Sequence, residues 1–258
     1  MSMPTVFLSH GSPMLILEDR PARAFLASLG HVLPRPKAIV AVSAHWDTDV
    51  PAVSTAHKPA TIHDFYGFPK ALFDVRYPAP GDPALAARVA SLVTTERVGL
   101  DPERGLDHGA WSVLIAMYPA ADVPVVQLGM DTRLPGAHHY ALARQLAALR
   151  DEGVLVLGSG NIVHNLRLFN FRDPAPLDWA LAADAEIRGH VAAGRHAELA
   201  DYPSRPASRL PVPTPEHYLP LLYAVALQQP HEKAEFFNVA VPGSISMSSV
   251  LIGAAAEA

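Results

Sequence analysis

The apolar residues of this chain fall into two kinds of run. Near-continuous apolar runs of strand length are typical of strands that are covered on both faces of a sheet. Segments whose apolar residues recur three to four positions apart are typical of helices. The predicted strands are residues 5–9, 38–44, 123–129, 153–160, 234–241 and 244–253, and the predicted helices are residues 83–93, 109–118, 136–149 and about 214–227.

The alternation of these strands and helices predicts the fold class. It indicates an α/β sandwich with a central mixed, largely parallel sheet and helices on both faces. No internal repeat, low-complexity block or linker divides the sequence, so we expect a single domain over residues 1–258. Residues 46–82 lack helical periodicity and are rich in proline, histidine and aromatic residues, which predicts an elaborated loop region of the kind that often carries function.

Composition and charge limit the classes of partner. The chain is 50% hydrophobic and 17% charged, which is enough apolar material for a sizeable core. Its formal charge of −5 and the absence of a basic run argue against nucleic acid or an anionic membrane surface as partner. The N-terminal apolar run is too short for a signal peptide, and no apolar run approaches the ~20 residues of a membrane span. We therefore expect a soluble, cytoplasmic protein.

The sequence has 13 histidines and no cysteine. The lack of cysteine excludes disulfides, thiolate metal sites and a cysteine nucleophile. Any bound metal must be held by nitrogen and oxygen ligands, which favour iron, zinc or manganese. The sequence contains no nucleophile elbow, Walker loop or dinucleotide fingerprint, which leaves Ser159 as a hydrolytic nucleophile without a supporting motif.

Three histidines follow the ends of predicted strands. His10 ends the first strand, His45 follows the second, and His164 comes four residues after "VLGSG". Ligands of open α/β sheets bind beyond the carboxyl ends of the strands, so these three side chains should meet at one edge of the sheet. Each alone fits a loop histidine with a local hydrogen bond. Together, flanked by Gly, Ser and Ala, they predict a shared metal or acid/base centre.

A fourth histidine lies near the start of the last predicted helix. Thr214 and Pro215 fit the N-cap and the first position of that helix, which would put Glu216 and His217 in its first turn. Adjacent helical positions diverge by about 100°, so only one of the two can point squarely into a site. We expect Glu216 to interact with the helix dipole and His217 to act as a neutral ligand, although the sequence leaves this choice open.

Two further histidines have a suggestive context. Asp107 fits an N-cap and His108 the first residue of the helix that follows. A helix N-terminus favours the neutral imidazole, which suits a proton donor or acceptor, but a solvent-facing histidine fits the same pattern equally well. His63 lies with Phe65 and Tyr66 in an aromatic-rich loop that fits either the wall of a pocket for a flat ligand or a packed surface loop.

Seven motifs, in order along the chain, resemble one enzyme family. They are "HGSPM", "SAHW", "TIHDFYGFP", "YPAPG", "LDHGAW", "GSGNIVHNLR" and "PEHYLPLLY". Together they resemble the class III extradiol ring-cleavage dioxygenases, in the DOPA 4,5-dioxygenase-like branch, from His10 to the "GSISMSSV" tail. The resemblance implies a single catalytic domain with a mononuclear non-haem Fe(II), or Zn(II) in purified protein, in a cleft at the strand ends.

The same resemblance implies roles for individual residues. His10, His45 and His217 match metal ligands, and His164 matches either a further ligand or an acid/base group beside the metal. His108 matches a histidine that assists substrate binding and proton transfer. The third ligand position holds histidine, with Glu216 beside it, where the two-His-one-carboxylate triad has a carboxylate.

The implied activity is the opening of a catechol ring with O₂. The substrate would be DOPA-like or another small catechol, the product a semialdehyde, and His63, Phe65 and Tyr66 would bind the substrate. We expect a monomer or small homo-oligomer. The alternatives are a zinc-dependent hydrolase that uses the same histidines, or a non-catalytic protein of the same fold that binds a metal or ligand.

Overall fold

The strands form one mixed sheet. The structure is a computed structural model that describes residues 2–18 and 21–253, and it contains eight strands within those ranges. In chain order they are β1 (Thr5–Ser9), β2 (Ala38–Ser43), β3 (Ala52–Ser54), β4 (Gly99–Asp101), β5 (Val125–Gly129), β6 (Val154–Gly160), β7 (Ala234–Phe237) and β8 (Ser249–Ile252). Their order across the sheet is β4-β3-β5-β2-β6-β1-β8-β7.

The centre of the sheet is parallel and its flanks are mixed. β1 and β2 both pair with β6 in parallel, and β2 pairs with β5 in parallel. β8 and β3 join this centre in antiparallel orientation. The register places Ser9 opposite Gly160 and Ser43 opposite Ser159. The carboxyl ends of β1, β2 and β6 therefore meet at one edge, and the predicted α/β class with a mixed sheet is confirmed.

Helices cover both faces of the sheet. In chain order they are α1 (Pro21–Val32), α2 (Lys70–Phe73), α3 (Pro83–Leu92), α4 (His108–Met117), α5 (Gly136–Arg144), α6 (Ala148–Asp151), α7 (Asp178–Ala192), α8 (His196–Asp201) and α9 (Leu219–Val225). Short 3₁₀ turns cover Pro13–Ile16, Leu166–Leu168, Tyr202–Ser204 and Pro206–Arg209. Alternate residues of the central strands point to opposite faces, so two apolar cores form: one contains α1 and α4, the other α5, α7 and α9.

The last predicted helix begins later than the sequence pattern indicates. α9 starts at Leu219, and residues 214–218 form turns. A helix that began at Pro215 would place Pro220 inside it, where proline removes a backbone hydrogen bond and clashes with the preceding turn. Pro220 instead lies in the first turn of α9, where its missing N–H costs nothing. The prediction that Glu216 and His217 lie in a helical first turn is therefore wrong.

Other differences concern element ends and short elements. The predicted helix over 136–149 is two helices, α5 and α6, and the two C-terminal strands are shorter than predicted. The segment 46–82 is largely irregular but contains β3 and α2. No helix among the described residues is long and apolar enough to cross a bilayer. The cytoplasmic location and the single domain over residues 1–258 stay predictions.

His139 should make the stability of the fold depend on pH. Its ring is buried in α5, bonded to the Tyr223 hydroxyl (3.0 Å) and the Asp131 carbonyl (3.1 Å). Burial, with His138 nearby, lowers its pKa from 6.5 to about 4. The unfolded chain therefore binds a proton between those values and the folded protein does not, so stability present above pH 6.5 is lost as the pH falls towards 4.

The expected loss from this one residue is roughly 2 kcal/mol between pH 7 and pH 5. Urea unfolding of the wild type and of His139→Gln at both pH values measures it, since the glutamine does not titrate. We expect the wild type to lose more stability than the variant over this interval. Equal losses would mean that His139 is not held neutral by the fold.

Candidate metal centre

Three histidines meet at the carboxyl edge of the sheet. His10 directly follows β1 and His45 lies two residues after β2, and their Nε2 atoms are 3.0 Å apart. The ring of His217 lies 5.5 Å from that of His10 and 5.1 Å from that of His45, centroid to centroid. One nitrogen of each ring lies within 4.8 Å of the others. The sequence-predicted ligands His10, His45 and His217 are thus brought together.

A glycine at the end of β6 lets His217 reach this group. A Cβ on Gly160 would lie 2.1 Å from the carbonyl oxygen of His217, so only glycine allows the turn over residues 214–218 to pack on the strand. The backbone N–H of Asn161 donates to the same carbonyl, at 2.9 Å. A turn held by backbone contacts, and not a helix, therefore delivers His217.

A serine sets the orientation of His10. The Ser159 hydroxyl donates to the carbonyl of Gly109 at 2.6 Å, and its oxygen lies 2.9 Å from Nδ1 of His10. The only proton of the hydroxyl is used in the first bond, so Nδ1 of His10 must donate in the second. Nε2 of His10 then carries a lone pair towards His45. Ser159 lies behind a histidine, and its hydrogen bonds give it no role as a hydrolytic nucleophile.

His45 faces His10 with a second lone pair. Its Nδ1 lies 3.6 Å from a carboxylate oxygen of Asp64, which favours a proton on Nδ1 and a bare Nε2. Two lone pairs 3.0 Å apart repel unless a proton or a cation lies between them. Burial and the neighbouring histidines lower the pKa of both rings well below 6.5, so neither ring takes up an additional proton near neutral pH. The pair fits a cation.

The glutamate beside His217 lies behind the imidazole ring of that histidine. Oε1 of Glu216 lies 3.2 Å from Nδ1 of His217 and accepts a hydrogen bond from the Thr214 hydroxyl at 2.7 Å. Burial raises the pKa of Glu216, but the hydrogen bonds from His217 and Thr214 outweigh it and hold the value at about 2. Glu216 is therefore a charged partner for Nδ1, which leaves Nε2 of His217 available.

His164 lies at the edge of this group. Its ring stacks on that of His217, with centroids 3.6 Å apart and planes 11° from parallel. A ring nitrogen of His164 lies close to donor atoms of Glu216 and His217. His164 does not belong to the set formed by His10, His45 and His217. Burial and then His217 lower its pKa to about 3, against a smaller opposing effect of Glu216. The described geometry therefore presents His164 as a neutral imidazole beside the three-histidine set.

The N-terminus of α4 directs His108 into the site. Asp107 caps the helix by accepting from the N–H of Ala110, as the sequence predicts. The His108 ring lies 3.9 Å from that of His45, and the residue is only 6% exposed, which excludes a solvent-facing histidine. Its Nδ1 lies 3.0 Å from Asp64, a close contact that is poorly angled for a hydrogen bond.

The sequence did not single out Asp64. It lies between His63 and Phe65 in an irregular loop, where no periodicity indicates which side chains turn inward. The only available signal was its place within the "TIHDFYGFP" motif. In the structure its carboxylate lies near both His45 and His108, and the three form a second set of mutually close donor atoms.

Aromatic side chains form a wall beside His108. The Phe65 ring lies 5.6 Å from that of His108 and 6.2 Å from that of Trp111, and the His63 ring lies 5.8 Å from Phe65. Trp111 donates its indole N–H to the backbone of this loop at Ile62. Tyr66, by contrast, is 92% exposed. Phe65 thus borders the histidine cluster, whereas His63 lies against Phe65 with its Nε2 bonded to the Val75 carbonyl at 3.1 Å, and Tyr66 lies at the protein surface.

Comparison with known proteins gives one consistent result. The sequence profile of a family described as the catalytic LigB subunit of aromatic ring-opening dioxygenase matches residues 4–247. The chain is 47% identical to the 4,5-DOPA dioxygenase extradiol of Escherichia coli (strain K12) over 257 residues, which cover 97% of this chain and 95% of that protein. It is 40% identical to the 4,5-DOPA dioxygenase extradiol of Beta vulgaris, over 93% of this chain and 92% of the relative.

A solved structure agrees with this result. The fold is similar to the crystal structure of an uncharacterized protein from Escherichia coli K12, with a TM-score of 0.83 and 42% sequence identity. The similarity covers 97% of this chain and all of the other.

Proposed function

Because the chain belongs to the family of the catalytic LigB subunit of aromatic ring-opening dioxygenases and is an extradiol ring-cleavage dioxygenase, we propose that its substrate is a small catechol, DOPA-like or simpler. The ring opens beside a hydroxyl group, both oxygen atoms of O₂ enter the product, and the product is a semialdehyde. The observation that carries the proposal is the pair of facing Nε2 atoms of His10 and His45, 3.0 Å apart, with His217 beside them.

The residues fit a divalent metal with nitrogen ligands. Ser159, Asp64 and Glu216 lie at the Nδ1 atoms of His10, His45 and His217, so the Nε2 atom of each ring remains for the ion. Three neutral imidazoles suit iron or zinc, and they leave the full positive charge of the ion for the substrate.

Dioxygenases of this family depend on a non-haem metal, and we propose Fe(II) for activity, with Zn(II) able to take the same position. When bound, Fe(II) would supply positive charge for the two catechol oxygens and electron transfer from the ring to O₂.

We assign the proton transfers to two histidines outside the ligand set. His164 is neutral at physiological pH and accepts the phenolic proton, because negative charge on the nearby substrate raises its low pKa towards the working range. His108 lies across the cluster from it and presents Nε2 to a substrate oxygen, since its Nδ1 is directed at Asp64. In this proposal His164 is an acid/base group and not a fourth ligand.

Substrate binding is assigned to the aromatic wall. Phe65 contacts His108 and so packs against one face of the catechol ring, while His63 borders the same wall. Tyr66 is exposed at the surface and contacts only the substituent of a larger substrate. The loop that carries His63, Phe65 and Tyr66 therefore determines which ring substituents the site accepts.

Oxygen consumption tests the proposal directly. Protein reconstituted with Fe(II) under nitrogen and then given a catechol and air should consume one O₂ per ring and form a yellow ring-fission product. The zinc-loaded protein is the matched control and should consume none. The absence of oxygen uptake across a panel of catechols would refute the proposal. A zinc-dependent hydrolase would instead act on esters under nitrogen, but no contact in the site favours that alternative.

A further inference from the structure

One carboxylate lies between two functional histidines at the site. We propose that Asp64 is a positioning residue that fixes the orientation and the protonated nitrogen of both His45 and His108. The inference deepens the proposed function, on which it rests for the roles of these two histidines. Through Asp64, the orientation of His45, a proposed metal ligand, is coupled to that of His108, which transfers a proton.

The carboxylate uses both oxygen atoms. Oδ1 of Asp64 accepts a hydrogen bond from the backbone N–H of His108 at 2.9 Å. Oδ2 lies 3.0 Å from Nδ1 of His108 and 3.6 Å from Nδ1 of His45. Both rings therefore turn the same nitrogen towards one side chain.

This arrangement determines where the ring protons lie. The negative charge of an ionised carboxylate faces both Nδ1 atoms, so each neutral ring is most stable with its proton on Nδ1. Nε2 of His45 is then bare and faces His10, and Nε2 of His108 is bare as well. Asp64 thereby prepares one nitrogen to bind a cation and another to receive a proton.

The carboxylate is firmly placed, because the backbone N–H of His108 donates to it at 2.9 Å. The loop before it is fixed at Ile62, whose N–H donates to Leu106 at 2.7 Å and whose carbonyl accepts from the Trp111 indole at 2.8 Å. An irregular segment is thus held at a defined distance from α4, where Asp64 meets His108.

Asp64→Asn separates a positioning role from a purely structural one. Asparagine keeps the shape and an oxygen that accepts from the N–H of His108, so the start of α4 retains its bond. Its NH₂ group, however, donates towards the two Nδ1 atoms and favours the opposite tautomer, with the proton on Nε2. The matched control is Asp74→Asn, which removes an exposed carboxylate that lies near the same loop and pairs with Lys70.

Three measurements test the inference. They are ¹⁵N NMR of histidine-labelled protein with and without zinc, zinc affinity by competition with a chromogenic chelator, and steady-state kinetics with a catechol.

For Asp64→Asn we expect the NMR signal of His108 to change from the Nδ1–H to the Nε2–H form. We also expect zinc affinity to fall 10–100-fold. The value of kcat should fall more than KM rises. Asp64→Glu should recover part of each, and Asp74→Asn should match the wild type.

Wild-type zinc affinity and unchanged His108 signals in Asp64→Asn would overturn the inference. Asp64→Ser, which keeps an acceptor for the backbone N–H alone, gives the same readouts if the asparagine variant does not fold. The proposed function can fail separately. Wild-type protein that consumes no oxygen, together with a changed tautomer and weaker zinc binding in Asp64→Asn, would refute catechol cleavage and leave the role of Asp64 intact.

Discussion

Replacing His10 with alanine is expected to abolish tight metal binding and ring opening together. His10 supplies one of three nitrogen atoms that meet at the sheet edge, and its Nε2 faces that of His45 at 3.0 Å. Its other nitrogen is bonded to Ser159, which lies behind the ring and cannot substitute for it. The loss should exceed the 10–100-fold that removal of an outer hydrogen-bond partner costs in metal affinity.

Zinc titration against a chelator and oxygen uptake with Fe(II) measure the two losses. His31→Ala is the matched control, because this exposed histidine of α1 lies away from the sheet edge and should change neither quantity. Circular dichroism of the His10 variant should match that of the wild type. Wild-type zinc affinity in a folded His10→Ala protein would remove His10 from the ligand set.

Replacing His164 with alanine should separate catalysis from metal binding. If His164 carries the phenolic proton, its loss lowers kcat by about 10²–10⁴-fold, the usual contribution of a general acid or base. Zinc affinity should change little, since the three-nitrogen set does not include it. With a pKa of about 3 in the free protein, His164 stays unprotonated from pH 5 to pH 8, so its own titration should produce no acidic limb in kcat/KM over that range.

His164→Phe is the decisive companion variant. The ring of His164 stacks on that of His217 at 3.6 Å, and phenylalanine preserves the stack while removing both nitrogens. We expect it to be as slow as the alanine variant. An active phenylalanine variant would reduce His164 to a packing role, and a parallel loss of zinc in both variants would make it a fourth ligand.

The parts of the site predicted from the sequence are those that depend on local or periodic signals. β1, β2 and β6 are continuous apolar runs, and parallel strands bring their carboxyl ends together, so His10 and His45 follow directly. Asp107 caps α4 by bonding to a residue that follows it closely in the sequence, so this signal is also local. The assignment of His217 as the third ligand depended on the family resemblance as well.

The parts that the sequence missed depend on contacts between distant segments. No periodic pattern of apolar residues surrounds Asp64. Its role can be recognised only from its contact with His108 at the start of α4. β3 and β4 are three residues each, too short for an apolar run. The inward positions of α7 include Ala180 and Ala183, which give a weak helical pattern. The error at residues 214–218 came from reading Pro215 as a helix start without weighing Pro220.

The position of β1 in the sheet has a consequence for synthesis of the chain. β1 is made first but lies between β6 and β8, and the contact between Ser9 and Ser248 spans 239 residues. At about 5–20 residues per second, the ribosome needs on the order of tens of seconds to supply both neighbours. His10 therefore leaves the ribosome long before His217 can join it. The emerging chain does not yet contain the whole proposed ligand set, so a metal that needs all three histidines would bind only to the finished fold.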